Sequence, residues 1–246
     1  IAEDLQINCI LKTIDYFTFA KTNLKNIEIP AKIEYLKFGC FYKCSKLNKI
    51  SFNTSIIKEI DDFAFAYTNI EEILIPDSVE TIGNFCFLNC SQLKTINFNS
   101  SSLLKKIGRE CFIGTAIKSI KLPELIEDFD FSLTEIVSIT FSAKSNLNRI
   151  NNFYSSKIVD IKIPPSIEFI SKKAFSNCQN LERVIIIDSQ ASKLEAICND
   201  AFYNCIRLKE FEIPKTVKYF GENAFKNCCE YNIDLNLDGF NVFISD

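Results

Sequence analysis

The residues best suited to chemistry in this sequence are its eleven cysteines. Two pairs have the spacing Cys-x3-Cys, Cys40 with Cys44 and Cys86 with Cys90, and such pairs invite a zinc site or a disulfide. The sequence contains no histidine, so the imidazole metal ligand and the most common general base are missing. Any metal or redox chemistry would therefore depend on thiols and carboxylates.

The positions of the cysteines favour packing over chemistry. Five stand three residues after a phenylalanine, where other segments carry Thr or Ser, and three stand directly before a phenylalanine, where other segments carry Ala or Thr. Thr and Ala do not bind soft metals as thiolates do, so this interchange predicts buried free thiols, with disulfides and metal binding as the alternatives. The candidates for redox chemistry are Cys9, Cys198, Cys228 and Cys229.

Adjacent carboxylates are the remaining candidates for catalysis. They occur at Asp61-Asp62, Glu71-Glu72 and Glu127-Asp128 and have the composition of an acid–base pair. No apolar pocket converges on them, so they are interpreted as solvated loop or strand surface. The six glycines are scattered and form no phosphate-binding run. The sequence thus predicts no catalytic residue, no cofactor and no metal, which favours a protein that is not an enzyme.

The elements that position these residues follow from a repeat. A phenylalanine is followed three residues later by Thr, Ser or Cys, and successive pairs are about 20 to 27 residues apart, a period typical of stacked supersecondary units. The ten pairs are Phe19/Thr22, Phe41/Cys44, Phe65/Thr68, Phe87/Cys90, Phe112/Thr115, Phe131/Thr134, Phe153/Ser156, Phe175/Cys178, Phe202/Cys205 and Phe225/Cys228. The period predicts a solenoid of about ten coils.

Each pair is followed by a short strand pattern, as in Glu72-Ile-Leu-Ile75, so one strand per coil predicts a parallel sheet on one face. The return segments alternate between proline turns and polar loops. Coils between residues 125 and 160 are shorter and break the small-residue rule before the phenylalanine, which predicts a local irregularity there. The repeat runs over 14–235, with a partial coil or cap at 1–13 and a tail or cap at 236–246.

The segment Ile75-Pro-Asp-Ser-Val79-Glu-Thr-Ile82-Gly, followed by Phe87-Leu-Asn-Cys90, closely resembles the BspA-like (Treponema-type) leucine-rich repeat. That pattern has the form L-x-x-I-x-I-P-x-S-V-x-x-I-G-x-x-A-F-x-x-C, and nearly the whole chain can be threaded onto it. The resemblance implies a right-handed α/β-type solenoid. It also implies a surface protein, since the family is implicated in adhesion to host cells, matrix proteins or other microbes.

A solenoid presents a long regular surface, which suits a protein ligand. We expect that ligand on the outward side chains of the strand face, with Leu74 and Ile185 as apolar contacts: Glu72, Leu74, Thr95, Asn97, Ser119, Lys121, Asp160, Lys162, Arg183 and Ile185. Arg183 and Lys121 are expected to point to solvent, so that charge reversal there weakens binding without changing stability. The alternatives are an intracellular scaffold built on the same coils and a structural spacer without a saturable partner.

Charge and hydropathy limit the partners. The net charge is −3 with both signs mixed along every coil, which argues against nucleic acid, and no apolar stretch is long enough to insert into a membrane. Sequons at Asn53 and Asn99 lie in equivalent polar loops and are possible glycosylation sites. The absence of methionine suggests a fragment of a longer chain, for which a cell-surface or secreted location is expected and an intracellular one stays open.

Overall fold

The computed structural model describes residues 11–53, 56–142 and 144–228. These residues form a parallel β-solenoid of about nine turns with almost no helix. Each coil has a short strand, a tight turn segment carrying the repeated phenylalanine, a longer strand, and a return to the next coil. We call the turn segment between each short strand and the next long strand the turn edge.

Short and long strands alternate along most of the chain. They are β1 (Thr13–Ile14), β2 (Asn26–Ile29), β3 (Tyr35–Leu36), β4 (Lys49–Phe52), β5 (Glu59–Ile60), β6 (Glu72–Ile75), β7 (Thr81–Ile82), β8 (Thr95–Phe98), β9 (Lys106–Ile107), β10 (Ser119–Lys121), β11 (Ser138–Thr140), β12 (Arg149–Ile150), β13 (Asp160–Ile163), β14 (Phe169–Ile170), β15 (Arg183–Ile186), β16 (Ala196–Ile197), β17 (Glu210–Phe211) and β18 (Tyr219–Phe220).

The longer strands build the predicted parallel sheet. β2 pairs with β4, β6 pairs with β8, and β10, β11, β13, β15 and β17 pair in that order. Their side chains alternate between exposed and buried, as in β6, because successive residues of a strand point to opposite faces. We call the outer surface of these strands the strand face.

A second parallel ladder, which the sequence did not predict, is formed by the two-residue strands. β1, β3, β5, β7 and β9 pair in one run, and β12, β14, β16 and β18 pair in another. Between the runs, β9 is continued only by a single bridge from Lys106 to Asp128. The irregularity predicted for residues 125 to 160 therefore takes the form of a break in this second ladder.

The core is a stack of the repeated phenylalanines. Neighbouring rings from Phe19 to Phe225 have centroids 5.1 to 6.0 Å apart, and all but one pair are within 15° of parallel. The exception is Phe131 with Phe153 at 37°, again at the break. Eight of the ten rings have no exposed surface, so the stack occupies the interior along the whole solenoid.

Turns, rather than α-helices, connect the strands of the described residues. Their one helical element is a single turn of 3-10 helix, Ser189–Ala191. Along the turn edge, backbone N–H groups donate to the next coil, as Phe41 N does to Ala64 O at 2.8 Å. The predicted tail at 236–246 and most of the predicted cap at 1–13 lie outside the described residues. Within the described chain, no helix has the length and apolarity that a membrane span requires.

Candidate functional site

The predicted binding residues lie on the strand face in two outward columns. Parallel pairing sets Glu72 beside Thr95 and Leu74 beside Asn97 in coils three and four. Further along, Asp160 pairs with Arg183 and Lys162 with Ile185. All of these side chains are exposed except Asp160, which is half-buried. The structure thus places the predicted residues on one surface, in two groups joined by β10 and β11.

Leu74 is the most exposed apolar residue of the strand face, with 51% of its surface accessible. It borders two shallow depressions. One, of about 530 Å³, is lined by residues of β4 and β6 and by the turn at Asp77; the other, of about 680 Å³, lies between Lys49, Glu72 and Asn97. An apolar side chain between two polar-rimmed depressions has the arrangement of an interface centre with its rim.

The sequence predicted that Arg183 would be an unpaired, solvent-facing charge, but the structure pairs it with Asp160. Its Nε lies 2.8 Å from Asp160 Oδ1 and its Nη2 lies 2.6 Å from Asp160 Oδ2, a bidentate pair across adjacent strands. The hydrogen bond from Arg183 lowers the pKa of Asp160 and, reciprocally, raises that of the guanidinium. Reversing this charge would break a cross-strand pair that the sequence did not predict, so for Arg183 we now expect a loss of stability instead of none.

The middle of the strand face is polar, and among the described residues its outward side chains form no salt bridge with one another. Ser119 and Lys121 on β10 pair with Ser138 and Thr140 on β11, and all four side chains are exposed. Lys121 forms no salt bridge within the described residues. Ile185, 40% exposed, is the second apolar residue on this face. Lys121 therefore keeps the solvent-facing role that the sequence predicted for it.

Seven of the nine described cysteines are fully buried free thiols: Cys40, Cys44, Cys86, Cys90, Cys111, Cys178 and Cys205. Burial raises the pKa of Cys90 and of Cys178 to about 11, and it also raises the pKa of Cys40 and Cys205. A buried neutral thiol is a poor nucleophile and metal ligand. No cluster in the described ranges could hold a metal ion. Of the redox candidates, Cys198 and Cys228 are half-buried, whereas Cys9 and Cys229 lie outside the described residues.

The carboxylate pair Asp61-Asp62 caps turns. Asp61 accepts a hydrogen bond from the backbone N–H of Asp62 at 2.7 Å. Asp62 in turn accepts two from Asn84, through the backbone N–H at 2.6 Å and the side-chain amide at 3.1 Å. Asp61 thus satisfies a donor of its own turn and Asp62 satisfies two donors of the next coil, which is a structural role.

The two predicted glycosylation sites lie on exposed loops of the return side. Asn99 is exposed, and its amide donates to Asp77 Oδ1 at 2.9 Å, while Ser101 of the same loop hydrogen-bonds the other oxygen of Asp77. Asn53 is also exposed, although the rest of its sequon, Thr54 and Ser55, lies outside the described residues. Both asparagines are accessible in this fold, and their modification stays a prediction.

The sequence analysis missed a set of half-exposed aromatic rings on the turn edge of the first four coils. These rings are Phe17, Phe38, Tyr42, Phe63, Tyr67 and Phe85. The signal was present, because the position two residues before the repeated phenylalanine carries Phe17, Phe63 and Phe85 in early coils but Glu110, Lys173, Asp200 and Asn223 in four later ones.

Coils with one long parallel strand, a buried ring ladder and a returning segment define a leucine-rich-repeat solenoid. The family described as "BspA type Leucine rich repeat region (6 copies)" matches residues 12–132 and 105–232. The matches cover most of the chain, so it belongs to the BspA-type leucine-rich-repeat family.

Solved structures support the fold. A leucine-rich repeat protein from Bacteroides ovatus is 24% identical, with a TM-score of 0.58 over 88% of this chain and 68% of its own. The pneumococcal vaccine antigen PcpA is 22% identical, with a TM-score of 0.51 over 87% of this chain and 64% of its own. The chain therefore spans about two thirds of each protein. A comparison with curated proteins finds no match.

Proposed function

We propose that this chain is a non-enzymatic protein-binding module of a cell-surface or secreted protein, and that it binds its partner on the strand face. The observation that carries the proposal is Leu74, which stands half-exposed between two depressions on a mostly polar face. Membership of a leucine-rich-repeat family supports a role in protein interaction. A surface location is supported by the similarity to a protein described as a vaccine antigen.

The strand face suits binding because its side chains are already fixed in position. The outward residues stand on hydrogen-bonded strands: β6, which carries Leu74, pairs with β8, and β13 pairs with both β11 and β15. Association then orders few additional groups, so less of the contact energy is spent on lost conformational freedom. Leu74 would supply the apolar centre and Lys121, one coil beyond Asn97, a charged contact of the rim.

A binding experiment tests the strand face directly. The immobilised chain would be assayed against purified extracellular-matrix and host-cell surface proteins, and any saturable partner tested again with Leu74→Ser and Lys121→Glu. Both variants should weaken binding, whereas Lys172→Glu, an exposed charge on the turn edge, should not. Binding that survives both changes but is lost when the loops at Asn53 and Asn99 are altered would contradict the proposal. Absence of any saturable partner would favour the alternative that the chain is a structural spacer.

Two measurements test the proposed cell-surface or secreted location of the protein. Glycan on Asn53 or Asn99 of the protein isolated from its native source would show passage through a glycosylating compartment and support the surface role. Protein that reacts with membrane-impermeant labels on intact cells would support the same conclusion without requiring glycosylation. Protein that is labelled only after lysis would instead favour the intracellular scaffold.

A further inference from the structure

A row of aromatic side chains covers the turn edge of coils one to four. We call Phe17, Phe38, Tyr42, Phe63, Tyr67 and Phe85 the aromatic strip. Its rings are in continuous contact: Phe17 and Phe38 have centroids 5.3 Å apart, Phe38 and Phe63 5.4 Å, and Phe63 and Phe85 4.8 Å. Tyr42 adds edge contacts to Phe63 at 6.3 Å and to Tyr67 at 5.7 Å. The strip is separate from the buried ring stack.

The strip stays accessible to solvent. Phe17 is 49% exposed and Tyr67 36%, and the other four rings are half-buried. None of these residues belongs to the strand face or borders its depressions. Contiguous exposed apolar surface with a polar surround marks an interaction site more often than isolated apolar residues do. Tyr and Phe are also the residues that interface centres prefer.

Four of the six rings stand where the backbone disfavours them. Phe17, Phe63, Phe85 and Tyr67 have φ between 52° and 60°, the left-handed region that is costly for bulky side chains. Most equivalent positions of other coils carry residues better suited to it or to solvent, with Leu133 as an exception: Gly39, Glu110, Lys173, Asp200 and Asn223 before the repeated phenylalanine, and Lys21, Lys43, Asn89, Gly114, Ser155, Asn177, Asn204 and Asn227 after it. Folding of the repeat therefore does not require aromatic residues here, and their presence in the first, third and fourth coils needs another reason.

Two lysines without a salt bridge lie beside Tyr42 and Tyr67 of the strip. Lys21 and Lys43 are exposed and form no salt bridge within the described ranges, and the Lys43 ammonium lies 5.2 Å from the Tyr42 ring centroid and 5.3 Å from that of Tyr67. The carboxylates of Asp61 and Asp62, which precede Phe63 in the chain, accept backbone and amide hydrogen bonds and form no salt bridge with either lysine. An incoming acidic group would therefore find unpaired ammonium groups next to exposed rings.

From these observations we propose that the aromatic strip is a second binding surface, which takes a protein segment carrying acidic side chains next to aromatic or aliphatic ones. The apolar side chains pack on the exposed rings Phe17 and Tyr67, and the carboxylates pair with Lys43 and Lys21. The proposal is independent of the strand face, since the two surfaces share no residue. A partner with this composition is selected by the ring surface and by the sign of the flanking charge together.

Selection from a random phage-displayed peptide library on the immobilised protein tests this assignment. Recovered peptides should be enriched in Asp or Glu beside Phe, Leu, Ile or Trp. They should bind at least about tenfold more weakly to Tyr67→Asn and to Lys43→Glu, the loss expected for removal of a central contact. Leu133→Asn is the matched control, because Leu133 has the same φ near 58° and is 50% exposed but lies outside the strip. It should bind as the unmodified protein does.

Other outcomes overturn the assignment. Peptides that bind Tyr67→Asn and the unmodified protein equally, or that are predominantly basic, would exclude the proposed chemistry. Retention by phosphatidylserine vesicles that is lost in Tyr67→Asn would reassign the strip to lipid. Self-association in sedimentation that is lost in the same variant would reassign it to a second copy of the chain. Strand-face variants Leu74→Ser and Lys121→Glu should leave peptide binding unchanged, so that the two proposals fail separately.

Discussion

The Cys90 thiol donates a hydrogen bond to the carbonyl oxygen of Phe65, one coil earlier, with an Sγ–O distance of 3.0 Å. The same bond runs from the cysteine of four other coils to the repeated phenylalanine one coil earlier, at 2.9 to 3.1 Å. Threonine at this position reaches the phenylalanine carbonyl of its own coil instead, as Thr115 does to Phe112 at 2.8 Å. A small side chain with one donor is required here, which explains why only Thr, Ser and Cys occur.

Replacement of the thiol tests that explanation. Cys90→Val removes the donor, whereas the nearly isosteric Cys90→Thr keeps one, so the free energy of unfolding should be lower for Cys90→Val by about 0.5 to 1.5 kcal/mol. Urea unfolding of the two variants measures the difference. Equal stability of the two would show that the hydrogen bond contributes nothing and that volume alone selects the residue.

Truncation of a central ring should have a much larger effect. Phe87 has no exposed surface and stacks on Phe65 at 5.4 Å and on Phe112 at 5.8 Å. Phe87→Ala should therefore lose about 3 to 5 kcal/mol through lost burial and the cavity left behind. Tyr154→Ala, at a ring that is 40% exposed, is the control and should lose clearly less. A loss below about 1 kcal/mol for Phe87→Ala would contradict its place in the core.

The buried thiols predict a loss of stability at high pH. Burial raises the pKa of Cys90 and Cys178 from 9.0 to about 11, so between these values the unfolded chain loses protons that the folded chain retains. Each contribution is complete below pH 9 and falls by up to about 1.4 kcal/mol per pH unit until the folded thiol ionises near pH 11. Urea unfolding over this range should show a shallower decline in Cys178→Ser. An unchanged decline in Cys178→Ser would show that ionisable groups other than Cys178 cause the loss of stability.

The same thiols should be protected from modification. In the native protein a disulfide-exchange reagent should react slowly with the seven buried cysteines, and after denaturation it should react with them quickly. Cys198 and Cys228, which are half-buried, should be the first described thiols to react. Rapid reaction of Cys90 or Cys178 before unfolding would show that the coils open locally at the ring stack.

Charge reversal on the strand face should have unequal effects on stability. Arg183→Glu breaks the bidentate pair with Asp160 and adds a negative charge between Asp160 and Glu210, its two register partners. Lys121→Glu breaks no salt bridge of the described chain. We expect a lower midpoint of urea unfolding for Arg183→Glu than for Lys121→Glu, with a difference that shrinks in high salt because both sites are exposed. Equal midpoints would show that the pair does not stabilise the sheet.

One substitution should stabilise the protein. Leu133 has φ 58° and is 50% exposed, so its side chain gains little from burial while the backbone is in the left-handed region. Asparagine is tolerated there, and equivalent positions already carry it. Leu133→Asn should raise the free energy of unfolding by about 0.5 to 1 kcal/mol. Loss of stability would reveal that the Leu133 side chain packs on its neighbours more than its exposure suggests.

The sequence predicted the interior of this protein well, because one repeated requirement acts on every coil. Phe87 and Cys90 must each stack on the same residues of the coils before and after, so the spacing of Phe and Thr, Ser or Cys gives the ladders directly. The second ladder was not predicted, since strands of two residues such as Thr81–Ile82 are too short to show an alternating pattern. The break near Asp128 was visible only as a shortened coil.

The outer surface was decided by the tertiary structure. Outward side chains are not constrained by the repeat, so their contacts depend on which residue the neighbouring coil presents at the same height. Asp160 and Arg183 are 23 residues apart and pair only because β13 and β15 are in register. Tyr42 and Tyr67 likewise meet only across adjacent turn edges. The sequence by itself determined the solenoid and its buried ladders, whereas coil-to-coil register decided which surface residues are already paired and which remain open to a partner.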